Sequence, residues 1–260
     1  MKKLSKYIYL IKHYLAEIFM RKFKLILDYE WTGGYFSLNK NSVCDFTIEK
    51  DVISRKYIFG KKDNLKMKFL DVGGSDGTLK YLLGKKANGR FFRPLYLENR
   101  NLFDSLYEYY GTDLNPISID KDHKVLLGDI CDQGYISKNQ IWESFFDIVY
   151  SNNVFEHLRN PFMAMKNIDK MLKVNGLVIT IAPFSARYHQ SPHDYFRFTH
   201  EGLEEIIKQS GEYKTLVSGY DISMRRHNIQ GKKPSDVVPV DRFGGWRENW
   251  NVINISMKLK

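Results

Sequence analysis

The chain has 260 residues, 43% of them apolar and 15% aromatic, with a formal net charge of +10. That is enough for a sizeable buried core in one large domain, or one domain with an appendage, and no low-complexity run or internal repeat interrupts it. The two cysteines, Cys44 and Cys131, exclude a disulfide framework or a cysteine zinc site and fit a reducing cytoplasm. The positive balance suits an anionic partner (nucleic acid, membrane surface or a phosphorylated small molecule), although scattered lysines on a solvated surface would produce it equally well.

The opening, "MKKLSKYIYLIKHYLAEIFMRKFKLI", lacks a small-residue cleavage site, and Lys12, His13, Glu17, Arg21 and Lys22 break any spanning run. Leu4, Tyr7, Ile8, Ile11, Leu15, Ile18 and Phe19 share one helical face. An amphipathic basic helix is expected there, as a cap on its own domain, a dimer contact or a peripheral membrane contact. Residues 1–65 are therefore read as this helix and a cap segment, and residues 66–260 as the main domain.

From about residue 66 the pattern becomes strand, turn, helix, repeated. "KMKFLDVGG", "LYEYYGTDLNP", "HKVLLGDICD" and "FDIVYSNN" are short apolar runs ending in Asp, Asn or Gly. "PFMAMKNIDKMLKVNG" reads as a helix closing on Gly176 as a C-cap. "GLVITIAPF" is nearly continuous in apolar residues, as a strand buried on both faces should be. "HEGLEEIIKQS" is a helix with Thr199 as N-cap, which puts His200 at a helix start. "YKTLVSGYDIS" and "WNVINISMKLK" are two further strands, separated by a long polar connector over 224–249. Such alternation predicts an α/β fold, a doubly wound parallel sheet with helices on both faces. A connector of that length is more often functional than idle, so a lid is one reading of it.

"FLDVGGSDGTLKYLL" places Asp71, Gly73, Gly74, Ser75 and Gly77 between a strand and a helix. Glycine permits a left-handed backbone and lets a ligand approach the main chain. Asp71 at the strand end would repel a pyrophosphate and welcome an amino group, which disfavours a dinucleotide and favours S-adenosylmethionine. Asp113, followed by Leu114, ends the next strand, where a carboxylate accepts from both ribose hydroxyls. Asp129 and Ile130 follow as an acceptor for an adenine amino group beside an apolar wall. Each Asp alone would equally serve as a solvated strand end or helix cap.

The joint pattern "LDVGGSDG", "YGTDLNP", "LLGDICD", "FDIVYSNNVFEHLRNP" and "MLKVNGLVITIAPF" resembles the class I S-adenosylmethionine-dependent methyltransferases over roughly residues 66–185. The resemblance implies a Rossmann-like sheet of seven strands, mostly parallel with an antiparallel edge, with the donor across the ends of the first four strands and S-adenosylhomocysteine as product. By position it implies Asp71, Gly73, Ser75 and Gly77 around the methionine part, Asp113 on ribose, Asp129 with Ile130 on adenine, and Asn152, Asn153 and Val154 as a floor near the sulfonium. Two departures stand out. Ser75 replaces the usual central glycine, and Asp113 follows Asp71 by 42 positions, about twice the familiar spacing. The stretch "ANGRFFRPLYLENRNLFDSLYEY" must hold an insertion, within which Glu98 is a rival for the ribose.

The acceptor is narrowed by absences. The Asn/Asp-Pro-Pro-aromatic run of amino methyltransferases is missing, neither cysteine follows a proline, and no dense carboxylate cluster suggests a magnesium site, so no metal is assigned. "NNVFEHL" resembles the branch acting on small molecules and lipid-like acceptors.

"HQSPHDYFRFTHEG" follows the fifth strand, whose end faces the ligand crevice in an open parallel sheet. His193 and His189 are candidate bases for a hydroxyl, with Asp194 orienting one of them. Arg197 and Arg187 are candidates to hold a phosphate or carboxylate. Tyr188, Tyr195 and Phe196 would wall the site, with His157 as a further wall or a helix-end residue. The competing reading is a structural turn in which Pro192, Asp194 and Arg197 are fixed by an ion pair. The segment also resembles one in methyltransferases associated with bacterial surface polysaccharides.

Together with Arg225, Arg226, Arg242, Trp246 and Arg247 in the connector, these features point to a nucleotide-diphosphate sugar as acceptor. The expected activity is O-methylation for capsule or lipopolysaccharide in the cytoplasm, with no nucleic-acid partner. The rival readings are an RNA methyltransferase and a non-catalytic scaffold docked on membrane.

Overall fold

The computed structural model describes residues 44–45, 50–60, 66–74, 76–84, 92–114, 124–140, 143–186, 188–189, 192–221 and 250–260. The expected N-terminal helix and the connector over 224–249 lie outside them. Among the described residues the strands are β1 Cys44–Asp45, β2 Met67–Val72, β3 Tyr107–Asp113, β4 Lys124–Leu127, β5 Phe146–Asn152, β6 Leu172–Ser185, β7 Tyr213–Asp221 and β8 Trp250–Lys258. They form one sheet in the order β1-β7-β8-β6-β5-β2-β3-β4. Seven strands carry it, as expected, and the two-residue β1 extends the β7 side. Every pairing is parallel except those of β8, which runs antiparallel to both β6 and β7.

The helices are α1 Lys50–Gly60, α2 Asp76–Gly84, α3 Arg93–Leu106, α4 Tyr135–Lys138, α5 Pro161–Met171 and α6 His200–Lys208. Period-two alternation sorts the strand residues onto two faces. Phe69, Ile148, Tyr150, Ile179, Ile181, Ile253 and Ile255 join Ile58 of α1, Leu79, Leu82 and Leu83 of α2 and Phe103 of α3 in one buried cluster. Leu70, Val149, Val178 and Val252 alternate to the other face. The buried Ala164, Met165 and Ile168 of α5 and Leu203 and Ile207 of α6 lie outside the first cluster. The fold is therefore the α/β sheet flanked by helices that the alternation predicts, with the Rossmann-like arrangement and antiparallel edge that the family resemblance implies.

Two local expectations change. The stretch between Asp71 and Asp113 holds α3, entered through Pro94 in its first turn; Glu98 lies exposed on that helix, away from a strand end. The helix expected to close on Gly176 instead ends at Met171, and β6 begins at Leu172. Asn175, not Gly176, takes the left-handed backbone at φ 63°. Gly176 is required for a different reason: a β-carbon there would lie 2.7 Å from Leu172 Cδ1 and from the Lys173 carbonyl oxygen. Thr199 does cap α6, its side chain accepting from the Gly202 N–H at 3.0 Å. None of the described helices is long and apolar enough to cross a membrane.

Candidate active site

The carboxyl ends of β2, β3, β5 and β6 converge where the sheet order turns from β2 outward in both directions, the usual ligand crevice of such sheets. At the end of β2, Gly73 sits at φ 67°, a conformation that costs a side-chain-bearing residue energy. Its N–H donates to Thr112 Oγ1 at 2.8 Å, tying the turn to β3. A β-carbon on Gly73 would lie 2.5 Å from Val154 Cγ2, and one on Gly74 would lie 2.4 Å from Asp71 Cγ. The turn is therefore glycine because two side chains press against it. Asp71 is fully buried beneath it, and Tyr109 donates its hydroxyl to Asp71 Oδ2 at 3.0 Å. Gly77 lies in the first turn of α2. Ser75 lies outside the described residues, as does the side chain of Asp113, while Leu114 beside it is exposed.

The acidic end of β4 is engaged by the protein itself. Asp129 Oδ1 accepts from the Cys131 N–H at 2.8 Å, and its Oδ2 stands 3.1 Å from Arg159 Nε. Ile130 is buried, its carbonyl accepting from Asn167 Nδ2 at 2.7 Å. At the end of β5, Asn152 Oδ1 accepts from Lys50 Nζ at 3.3 Å. Asn153 takes φ 56° and donates its N–H to the Ile181 carbonyl at 2.9 Å. Lys50 is itself buried, and its N–H donates to Asp221 Oδ2 at 3.4 Å. Nothing in the sequence around Lys50 marks it among the many lysines; only the fold brings it to Asn152.

Val154 leads into a 3₁₀ turn, Phe155–His157. The histidine-rich segment is stitched to that turn by backbone bonds. Tyr195 and Phe196 donate their N–H groups to the Glu156 carbonyl at 2.7 and 3.2 Å, and Phe198 donates to Pro183 at 3.0 Å. Phe198 is buried and anchors the segment. The His157 ring packs edge-on against His189, centroids 4.9 Å apart. Its Nδ1 donates to the His193 carbonyl, which can only accept, so Nδ1 carries the proton.

Around this turn lies a carboxylate–imidazole cluster. Arg197 grips Asp194 through both terminal nitrogens, Nη2 to Oδ2 at 2.7 Å, and holds the Asp194 carboxyl far below the usual carboxylate range. Asp194 Oδ2 also accepts from the His189 N–H at 2.8 Å and stands 3.5 Å from His189 Nδ1. Glu156 completes the cluster: its Oε1 is 3.6 Å from His157 Nε2 and 3.9 Å from His189 Nε2. Its side chain is 1% exposed, and burial pushes its carboxyl up to about 7.

The structure thus brings together His189, His157, Asp194 and Arg197, and adds Glu156, which sequence reasoning passed over. The only hint was its place in "NNVFEHL"; its burial is set by a distant segment folding over it. His193 lies outside the cluster, exposed, its ring 5.3 Å from that of Tyr195. Tyr188, Tyr195 and Phe196 are exposed. Arg197 is committed to Asp194, which is the ion-paired turn considered above. Arg187, Arg242 and Trp246 lie outside the described residues.

Residues 49–209 match the methyltransferase-domain family. A curated relative, "Probable polyketide synthase 26" of Dictyostelium discoideum, is 24% identical over 77% of this chain, which spans only 9% of that relative's length. Among solved structures, the [4+2]-cyclase SpnF aligns at TM-score 0.52 and 12% identity, over 85% of this chain and 86% of that one, a likeness of fold alone. The trans-methyltransferase CalH, solved with S-adenosylhomocysteine, aligns at 0.48 and 13% identity, over 80% of this chain and 54% of that one. A family match over more than half the residues, on a sheet with its glycine turn and acidic strand ends in order, leads to one conclusion: the chain belongs to the methyltransferase-domain family and carries a methyltransferase domain of the S-adenosylmethionine-dependent kind.

Proposed function

We propose that the protein transfers the methyl group of S-adenosylmethionine to a hydroxyl of a nucleotide-diphosphate sugar, or of a related phosphate-bearing precursor of a bacterial surface glycan. The observation that carries this reading is the contact of Gly73 with Val154. It sets the glycine turn directly beside the 3₁₀ turn on which the histidine cluster is built. A donor bound at the first would present its methyl group to an acceptor at the second.

In this reading the donor's methionine part lies along the glycine turn, over Asn152 and Asn153, with ribose at Asp113. Asp71, buried under Gly74, supports the turn from below. The acceptor oxygen attacks the methyl carbon in line; the carbon–sulfur bond breaks and its electron pair stays on sulfur, leaving S-adenosylhomocysteine. The hydroxyl proton passes to His193, whose exposed ring beside Tyr195 is open to an acceptor. The Asp194–Arg197 pair stiffens the segment, and His189 is oriented by Asp194. The net charge of +10 favours a phosphate-bearing acceptor.

The test is incubation with radiolabelled S-adenosylmethionine and three acceptor pools: sugar nucleotides, total RNA and a membrane-lipid extract. Label in the sugar-nucleotide pool is the expected result. Label in RNA or lipid alone would overturn the acceptor and leave the donor site standing. His193→Ala should lower turnover about 10²–10⁴-fold, the usual worth of a general base, with donor affinity unchanged by calorimetry. Unchanged turnover across the pH range would remove His193 from the base role.

A further inference from the structure

Glu156 poses a problem that the proposed function leaves unsolved. Among the described residues its two carboxylate oxygens are buried without a hydrogen-bond partner, apart from its own main-chain N–H. A buried carboxylate in that position costs several kcal/mol unless a proton or a cation satisfies it. The imidazoles that face it stand at 3.6 and 3.9 Å, too far for good hydrogen bonds.

Those separations suit a different occupant. Two ligands each about 2.1 Å from a metal ion stand roughly 3.0–3.4 Å apart at octahedral or tetrahedral angles. One ligand atom from each of Glu156, His157 and His189 already lies within 4.8 Å of the other two. Small side-chain rotations would close the remaining gap.

The outer shell is built at His157, whose Nδ1 bonds a carbonyl, and prepared at His189, whose Nδ1 stands 3.5 Å from Asp194 Oδ2. Each imidazole turns Nδ1 to an oxygen acceptor, His157 to the His193 carbonyl and His189 to Asp194, and turns Nε2 toward Glu156. Metal-binding histidines are oriented in this way, the second nitrogen held by a carbonyl or carboxylate so that the first presents its lone pair. Asp194 is in turn fixed by Arg197. Electrostatics agree: among the described residues the nearby guanidinium, Arg197, acts on this carboxylate only through space, because it is bonded to Asp194.

We propose that Glu156, His157 and His189 form a two-histidine, one-carboxylate site for a divalent first-row transition-metal ion. Two imidazoles favour manganese, iron, cobalt, nickel or zinc over magnesium, which prefers oxygen ligands. Three protein ligands leave coordination positions open, and His189, 46% exposed, lies on the side from which an oxygen-bearing ligand would enter. A hydroxyl or phosphate oxygen bound there would lie beside Val154 and the glycine turn. The site stands on the side chains alone and does not depend on which acceptor is methylated.

The experiment uses the full chain, without a polyhistidine tag, stripped with chelator and titrated with Co²⁺ while the visible absorption of the nitrogen-ligated ion is followed. One equivalent per chain is expected to bind. Glu156→Gln, which keeps the buried volume, and His189→Ala should each weaken binding by at least 10–100-fold. His200→Ala, outside the cluster, should leave it unchanged. Circular dichroism and donor binding on the same samples establish that the variants are folded. Absence of a stoichiometric Co²⁺ site in the wild-type chain, or wild-type affinity in both Glu156→Gln and His189→Ala, would overturn the proposal. Co²⁺ binding that depends on Glu156 while no sugar nucleotide is methylated supports the site and counts against the acceptor reading alone.

Discussion

At Gly73 a φ of 67° and a β-carbon position 2.5 Å from Val154 Cγ2 act together. Gly73→Ala should cost about 1–2 kcal/mol from the backbone alone, with more from the displaced valine. The expected outcome is a lower Tm together with donor affinity reduced at least tenfold by calorimetry; a wild-type donor Kd would mean the turn does not meet the donor. Cys131 is a contrasting case. Burial pushes its thiol up to about 11, and the thiolate is the reactive form. Alkylation by iodoacetamide at pH 8, followed at Cys131 by peptide mass spectrometry, should proceed only on the timescale of unfolding. Rapid labelling in native buffer would contradict the packing around Ile130 and Asn167.

At the scale of elements, α3 is the insertion that doubles the spacing between the two acidic strand ends. Its inner face carries Phe103, fully buried and edge-on to Phe69 with centroids 5.0 Å apart. Phe103→Ala should cost about 3–5 kcal/mol in denaturant unfolding, whereas Leu102→Ala, on the exposed side, should fall within about 0.5 kcal/mol of wild type. The pairing of β3 with β4 carries a pH signature. Glu108 accepts from Lys124 and from the Tyr110 hydroxyl, and these bonds lower its carboxyl from 4.5 to about 2. A carboxylate with a depressed folded-state value contributes stability that is fully present above pH 4.5 and is lost as pH falls toward 2. Glu108→Gln should flatten that part of the acid-unfolding profile. β2, β3, β4 and β5 were legible because each is a short apolar run closed by Asp, Asn or Gly, and β6 because its apolar run is nearly continuous; the two-residue β1 is too short to leave a pattern. The end of α5 was not, since Gly176 answers to a contact with Leu172 that no local pattern reveals. The glycine turn and the histidine segment were also visible as motifs. Glu156 and Lys50 were not, because their roles come from burial under segments far away in the chain.

For the whole molecule, the question is what the net charge of +10 does. A small phosphorylated acceptor neutralises few cations, so its binding should weaken only shallowly with salt; an RNA spanning many phosphates would lose about 10³–10⁵ in affinity between 50 and 200 mM salt. Measuring acceptor affinity against salt therefore separates the two partners independently of the labelling experiment. The order of the sheet also bears on how the protein is made. β8, the last strand of the sheet in chain order, lies between β6 and β7. During synthesis β6 and β7 must emerge with facing edges unpaired, and they stay open until residues 250–258 have cleared the ribosome. Unpaired apolar edges invite aggregation and misassembly. The nascent chain would then pass its most chaperone-dependent interval between the synthesis of β7 and that of β8, when most of the catalytic crevice has already been made.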